Sequence, residues 1–287
     1  MKISLDDIQA AARIVYADMP PTPQYRWPLL SERLGTEVWV KHENHSPVGA
    51  FKIRGGLVYF AHLAKGEQRP EGVISATRGN HGQSVGYAAK RYGIPATIVV
   101  PHGNSLEKNA AMRALGAEVI EYGHDFQEAR EHSMALAEQR RLEAVPPFHA
   151  DLVLGVATYA VELFEGAGPL DTVYVPVGMG SGINALIRVR DLLGLATEIV
   201  GVVSDRAVST LLSFECGEVV TTETADTFVD GVATRSPDAT AIAGIIDGAA
   251  RIVAVSDDAT AEAMRIVFRT THNVAESAGA IALAGLL

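Results

Sequence analysis

Between Gly72 and Arg140, short apolar runs alternate three times with stretches of helical spacing, and this alternation narrows the fold more than any other feature. Gly72-Val-Ile-Ser-Ala76, Ala96-Thr-Ile-Val-Val100 and Glu118-Val-Ile-Glu-Tyr122 are short and rich in β-branched residues, as buried strands are. After the first run, Val85, Ala88, Ala89 and Tyr92 share one helical face, and Gly93 and Pro95 stop that helix. Asn104-Ser-Leu-Glu107 reads as a capping box with Asn104 in the cap role, opening a helix that ends at Gly116. A third helix is predicted from about Asp125 to Arg140. Strands separated by helices pair in parallel, because each helix carries the chain back to the starting edge. The pattern returns at Thr172–Val177, Glu198–Val203 and Arg251–Ser256, where Ser256-Asp257-Asp258 opens a helix through Met264, Val267 and Phe268. The predicted class is α/β, with two open, mostly parallel twisted sheets flanked by helices.

The N-terminal segment is read as a helix over 5–17, a turn through Met19-Pro-Pro-Thr-Pro23 and an apolar run over 29–34. Glu37-Val-Trp-Val-Lys41 is predicted to be a buried strand. The polar break Lys65-Gly-Glu-Gln-Arg-Pro70 marks a domain crossing. The expected partition is a large domain of 1–68 and 149–287, with a small α/β domain of 69–148 inserted into it. The formal charge, 24 − 34 = −10, and the lack of a basic run argue against nucleic-acid or anionic-membrane partners. No apolar signal core or membrane-spanning run is present, so a cytoplasmic location is expected. The single cysteine, Cys216, allows no internal disulfide and is read as a small buried hydrophobe.

Three stretches carry chemistry. Lys52 lies between Phe51 and Ile53, where a polar turn with Pro47 and Gly49 gives way to helical spacing at Leu57, Val58, Phe60, Ala61 and Leu63. The positive end of a helix dipole disfavours an ammonium and favours a neutral amine, which condenses with an aldehyde. A solvated surface lysine is the plainer alternative. Second, Ser75-Ala-Thr-Arg-Gly-Asn-His-Gly-Gln-Ser84 enters a helix through a polar, glycine-containing turn, which suits an anion. A helix cap with incidental polar residues does not account for Arg, Asn, His and Gln crowding one turn. Third, Val177-Gly-Met-Gly-Ser-Gly-Ile183 follows a strand and opens a helix, so its backbone can approach a phosphate closely. A dinucleotide site fits less well, because Gly-x-Gly-x-x-Gly is missing.

Together these stretches resemble the motifs of fold-type II pyridoxal-phosphate enzymes, the threonine dehydratase and serine racemase family, with its tryptophan synthase β-like fold. The family pattern Lys-x-Glu-x-x-x-Pro-x-x-Ser-Phe-Lys-x-Arg-Gly is met at Lys41, Glu43, Pro47, Phe51, Lys52, Arg54 and Gly55, with Ala50 where many members carry Ser. The resemblance implies pyridoxal 5'-phosphate bound in a cleft between the two domains, with Lys52 as its covalent anchor and Phe51 beside it. It gives Asn80 to the cofactor's ring hydroxyl, and Thr77, Arg78, Gly79, Asn80 and His81 to the substrate carboxylate, with His81 shaping the loop. Gly178, Met179, Gly180 and Ser181 stand at the family's tetraglycine phosphate loop, although two of the four are not glycine. Asp230-Gly231-Val232 and Glu276 are placed beside the cofactor ring. Taken alone, the first is an ordinary turn and the second a first-turn helix acid.

The family's cation-binding carboxylates correspond here to Val203 and to the vicinity of Ser209, so no metal site is expected. The sequence stops at Ala280-Ile-Ala-Leu-Ala-Gly-Leu-Leu287, before the family's ligand to the pyridine nitrogen, and truncation is the expected cause. No regulatory region follows, so feedback through one is not expected. The implied activity is a lyase of amino-acid metabolism: a dehydratase, or ammonia-lyase, that turns a threonine- or serine-like β-hydroxy amino acid into a 2-oxo acid and ammonia. A homodimer or larger homo-oligomer is expected. The alternatives are a 3-hydroxyaspartate-type dehydratase selected by Arg78, a β-replacement enzyme of the cysteine synthase branch, and a non-catalytic amino-acid or nucleotide binder. Serine racemase-like members carry a serine at the position of Arg78, and a guanidinium is a poor base, so elimination without racemisation is expected.

Overall fold

A computed structural model describes residues 3–66 and 68–287, leaving Met1, Lys2 and, within the predicted polar break, Glu67 outside the described residues. The chain divides into two compact units. One comprises 9–20 and 45–156, the other 1–8, 21–44 and 157–287. The helix Lys52–Lys65 therefore groups with the sheet that follows it, whereas a boundary at 68 was expected. The physical reason is that Tyr59 and Phe60 on this helix pack into the same core as Val73 and Ile98 of the sheet.

The 45–156 unit holds a four-stranded, all-parallel sheet in the order Glu118–Glu121, Ala96–Val100, Val73–Ala76, Glu143–Ala144. Alternate residues of a strand face opposite sides. Val73, Ile98 and Val100 point into a core shared with Val85, Ala88 and Met112 of the helices Asn80–Arg91 and Leu106–Ala114. Ile74 and Val99 point the other way, onto Ala129 and Leu136 of the helix Phe126–Arg140. Both faces are apolar because both are covered, as parallel sheets require. The helix after Val100 is capped by Ser105, whose hydroxyl accepts from the Lys108 amide at 3.2 Å. This corrects the expected cap: Asn104 is turned inward, and its amide donates to Asn109 Oδ1 at 2.7 Å.

The other unit holds a parallel sheet of Thr172–Pro176, Glu198–Ser204 and Arg251–Val255, in that order. It also holds an antiparallel pair, Gln24–Arg26 with Trp39–Lys41. The expected buried strand from Glu37 is thus shorter and only partly buried, because it has a single strand partner. Lys41 is the buried exception in its environment. Its ammonium lies 2.5 Å from Glu162 Oε2 and donates to the Thr22 carbonyl at 2.8 Å, and both charged side chains are over nine-tenths covered. Thr22 in turn donates its hydroxyl to Glu43 at 2.5 Å. Cys216 is exposed, contrary to its reading as a buried hydrophobe. It is the last residue of the helix Ser209–Cys216, which ends at Gly217 with φ +74°. Among the described residues, no helix is long and apolar enough to cross a membrane.

Candidate functional site

In the 45–156 unit, Lys52 is the first residue of its helix, and Phe51 at the cap position supplies no capping side chain. The Lys52 Nζ lies 4.4 Å from the centre of the Phe51 ring. Ile53, Leu57 and Val58 anchor the helix on Ala11, Val15, Met19 and Val48. Its first turn is gripped by main chain. A β-carbon on Gly55 would lie 2.6 Å from the Leu152 carbonyl oxygen, and one on Gly155 would collide with the carbonyl of Arg54. On another side a β-carbon on Gly56 would collide with Ser84 Oγ, the hydroxyl that donates to the Lys52 carbonyl at 2.6 Å. The glycines after Arg54 are there because neighbours approach at backbone distance, so the Lys52 backbone is fixed by packing that does not use its side chain.

The Thr77–His81 turn belongs to the same unit. Thr77 is tied to the sheet through its amide, 3.0 Å from the Val99 carbonyl, and its hydroxyl accepts from the Gly79 amide at 3.0 Å. The helix Asn80–Arg91 then starts with no side-chain cap. Its first N–H groups and dipole make an anion-binding end. A β-carbon on Gly82 would collide with Met112 Sδ and Thr77 Cγ2, which explains the glycine after His81. Gln83 donates to Asn80 Oδ1 at 3.4 Å. Arg78 is partly buried, and its Nε is enclosed without a partner.

His81 is buried, hydrogen-bonded to the Val145 main chain, and its Nε2 has no partner. Burial pushes its pKa down to about 4, the positive charge of Lys52 adds to the shift, and the Val145 bond opposes it. A neutral imidazole that bonds a carbonyl donates from Nδ1, leaving Nε2 an unused acceptor. The linkage has a definite sign. Below the unfolded value near 6.5, the unfolded chain takes a proton that the folded chain refuses, so stability is full above pH 6.5 and falls as pH drops towards 4. The loss is about 3 kcal/mol. Urea unfolding of the native protein and of His81→Asn from pH 7 to 4 checks this: the native curve falls more steeply, and parallel curves would remove His81 from acid sensitivity.

The other unit assembles a second group. Gly178 follows the strand Thr172–Pro176, and a β-carbon there would collide with the Gly231 carbonyl oxygen. A β-carbon on Gly231 would lie 2.6 Å from Ala278 Cβ, at the start of the helix Ser277–Leu286 that Glu276 precedes. Gly178, Gly231 and the Glu276 turn are therefore neighbours. Gly180 has φ +92°, which favours glycine, and caps the helix Ser181–Leu192 without a side-chain bond. The Met179 sulfur accepts from the Thr234 hydroxyl at 4.0 Å, which accounts for a large side chain in this turn. Asn184 donates to the Gly180 carbonyl at 2.9 Å and the Ala241 carbonyl at 3.1 Å, bracing the turn.

Residues the sequence reading did not single out also contribute. Lys108 lies across Gly79: a β-carbon there would be 2.5 Å from Lys108 Cδ and 3.1 Å from its Nζ. Nothing in the spacing points from Gly79 to a lysine on the next helix. Ser84, by contrast, ends the polar stretch Ser75–Ser84 and is visible in the sequence as part of it. A groove lined by Phe164, Leu170, Thr172, Leu195, Thr197 and Glu198 opens at the amino ends of the three-stranded sheet, away from the glycine turn at the carboxyl end.

The profile of a family described as "Pyridoxal-phosphate dependent enzyme" matches residues 16–287. The chain is 34% identical to the L-threonine ammonia-lyase of Thermotoga maritima over 99% of its own length and 71% of that protein's. It is 35% identical to the biosynthetic L-threonine dehydratase of Pasteurella multocida, covering 95% of this chain and about half, 53%, of that one. Among solved structures, maize serine racemase superposes with a TM-score of 0.94 at 25% identity, over 100% of this chain and 87% of that one.

Proposed function

Since the chain belongs to the family of pyridoxal-phosphate dependent enzymes, we propose that it is an ammonia-lyase that dehydrates a β-hydroxy amino acid to a 2-oxo acid and ammonia. The observation that carries the assignment is Lys52, fixed at a helix start in the same unit as the uncapped, anion-binding turn Thr77–His81, in a chain so similar to a threonine ammonia-lyase. The residues fit the cofactor's groups. Lys52 supplies an amine for its aldehyde carbon. The uncapped helix start at Gly180, where added β-carbons at Gly178 and Gly180 would meet close neighbours, suits its phosphate. In the 45–156 unit Asn80 offers a polar side chain for the ring hydroxyl; in the other unit Gly231 and Glu276 lie beside the glycine turn. When bound, pyridoxal phosphate supplies an electron sink for the bond broken at Cα. The amides of Asn80 and His81, at the uncapped helix start, hold the substrate carboxylate. Lys52 takes the Cα proton, the β-hydroxyl leaves as water, and hydrolysis of the resulting enamine gives the 2-oxo acid and ammonia.

Release of 2-oxo acid from a panel of β-hydroxy amino acids tests the assignment, and a protein that binds the cofactor but releases none from any of them would overturn it. A guanidinium, as Arg78 carries, is a poor base, so elimination proceeds without appreciable racemisation. Chiral chromatography of residual substrate reads this, and fast racemisation would contradict it. Divalent metal is dispensable on this assignment. Ser204, at the end of its strand, donates to Asp257 Oδ1 at 3.0 Å, and Thr227 donates to the same oxygen at 2.5 Å, so hydrogen bonds brace this corner. Activity should survive chelator unchanged; loss restored by magnesium or calcium would refute it. The proposal extends to a cytoplasmic location and a homo-oligomer, the latter read by light scattering.

A further inference from the structure

We propose that the turn around Arg78 binds a second carboxylate, so that the preferred substrate is a β-hydroxy diacid of the 3-hydroxyaspartate kind rather than threonine or serine. This rests on the ammonia-lyase assignment. The Arg78 Nε is shut away from solvent and has no hydrogen-bond partner among the described residues. Enclosing a polar donor without a partner is costly, and such a group calls for a ligand that completes it. The helix amides that start at Asn80 serve one carboxylate. Arg78 precedes them by two residues in the same turn, and a planar guanidinium pairs with a second carboxylate, two N–H groups to two oxygens. Lys108, drawn across Gly79, adds a point charge on the same turn.

A second orphan atom has the opposite polarity. His81, about nine-tenths buried, presents an unpartnered Nε2 that as a neutral nitrogen takes a donor. A hydroxy diacid brings both complements, carboxylate oxygens for Arg78 and a hydroxyl for His81. Threonine brings the hydroxyl but sets a methyl group against the guanidinium. The reaction balances without an oxidant: the Cα proton and β-hydroxyl leave as water, water returns in hydrolysis, and ammonia departs from a four-carbon 2-oxo diacid.

The test uses the holoenzyme. We expect kcat/KM for 3-hydroxyaspartate to exceed that for threonine and serine by about 100-fold or more, because a site built for a polar group rejects analogues that lack it. In Arg78→Gln that preference should fall by on the order of 30-fold or more, and Arg78→Lys, which keeps charge but not the fork, should lose part of it. Calorimetry supplies a readout that needs no turnover: succinate should bind the native protein at least about 10-fold more tightly than butyrate, and Arg78→Gln should erase the difference. A threonine preference, or a diacid preference that neither Arg78 variant moves, would overturn the inference while leaving the ammonia-lyase assignment intact. If no β-hydroxy amino acid yields a 2-oxo acid, the assignment falls; Arg78-dependent succinate binding would still support the second-carboxylate site, and equal affinities for succinate and butyrate would overturn it.

Discussion

Lys52→Ala should abolish 2-oxo acid release, by on the order of 10³-fold or more, and the purified variant should lose the visible absorption of lysine-bound cofactor. The effect is chemical rather than structural. Ile53, Leu57 and Val58 hold the helix in its core, and the first turn is fixed through Gly55, Gly56 and the Lys52 carbonyl, none of which the substitution removes. Melting curves of the variant should therefore stay near native. An unchanged absorption band would place the anchor on another lysine. Lys41, the other lysine in the same motif, is already committed to Glu162 inside a buried ion pair.

That pair supplies the second large effect. Lys41→Met should destabilise the protein by about 3–5 kcal/mol, because it strands the Glu162 carboxylate away from water. The double variant Lys41→Met with Glu162→Leu should recover at least half of the loss, since exchanging both charges for apolar groups of similar size comes close to neutral. Urea midpoints of the two single variants and the double variant measure the cycle. A Lys41→Met protein within about 1 kcal/mol of native would show that the pair is solvated in solution. The motif at 41–55 therefore has two kinds of content: Lys52 belongs to the chemistry, whereas Lys41 and Glu43 join through Thr22 to hold a local framework.

The parallel strands were legible because strands covered on both faces are continuously apolar: Val73–Ala76 and Ala96–Val100 are buried at every position. Helix ends were legible where one residue type has a backbone reason to be there, as at Gly93 and Gly116, both at positive φ. Gln24–Arg26 and Glu143–Ala144 were not, since two or three residues are too few to show a period. The 18-residue helix Ala150–Ala167 went unread because it is apolar on most of its faces and offers no clear stripe. Asn104 and Ser105 are both good caps, and only the buried bond from Asn104 to Asn109 decides between them. Of the candidate site, the glycine-rich turns could be read from local sequence. Lys108 could not, because its place over Gly79 is set by how two helices pack.

The glycine contacts at the first turn of the Lys52 helix also bear on how this protein loses activity when heated. Carbonyls of Arg54 and Leu152 and the hydroxyl of Ser84 lie where side chains would ordinarily stand. No outward fraying of that turn is possible without parting the neighbouring helices and the core beneath them. Amide hydrogens from Leu57 to Ala61, deep in this helix, should exchange with deuterium as slowly as those of the Ala96–Val100 strand, through cooperative opening of the whole unit. An enzyme built this way keeps its reactive lysine in place up to the temperature at which the fold gives way, so inactivation and unfolding should trace one curve.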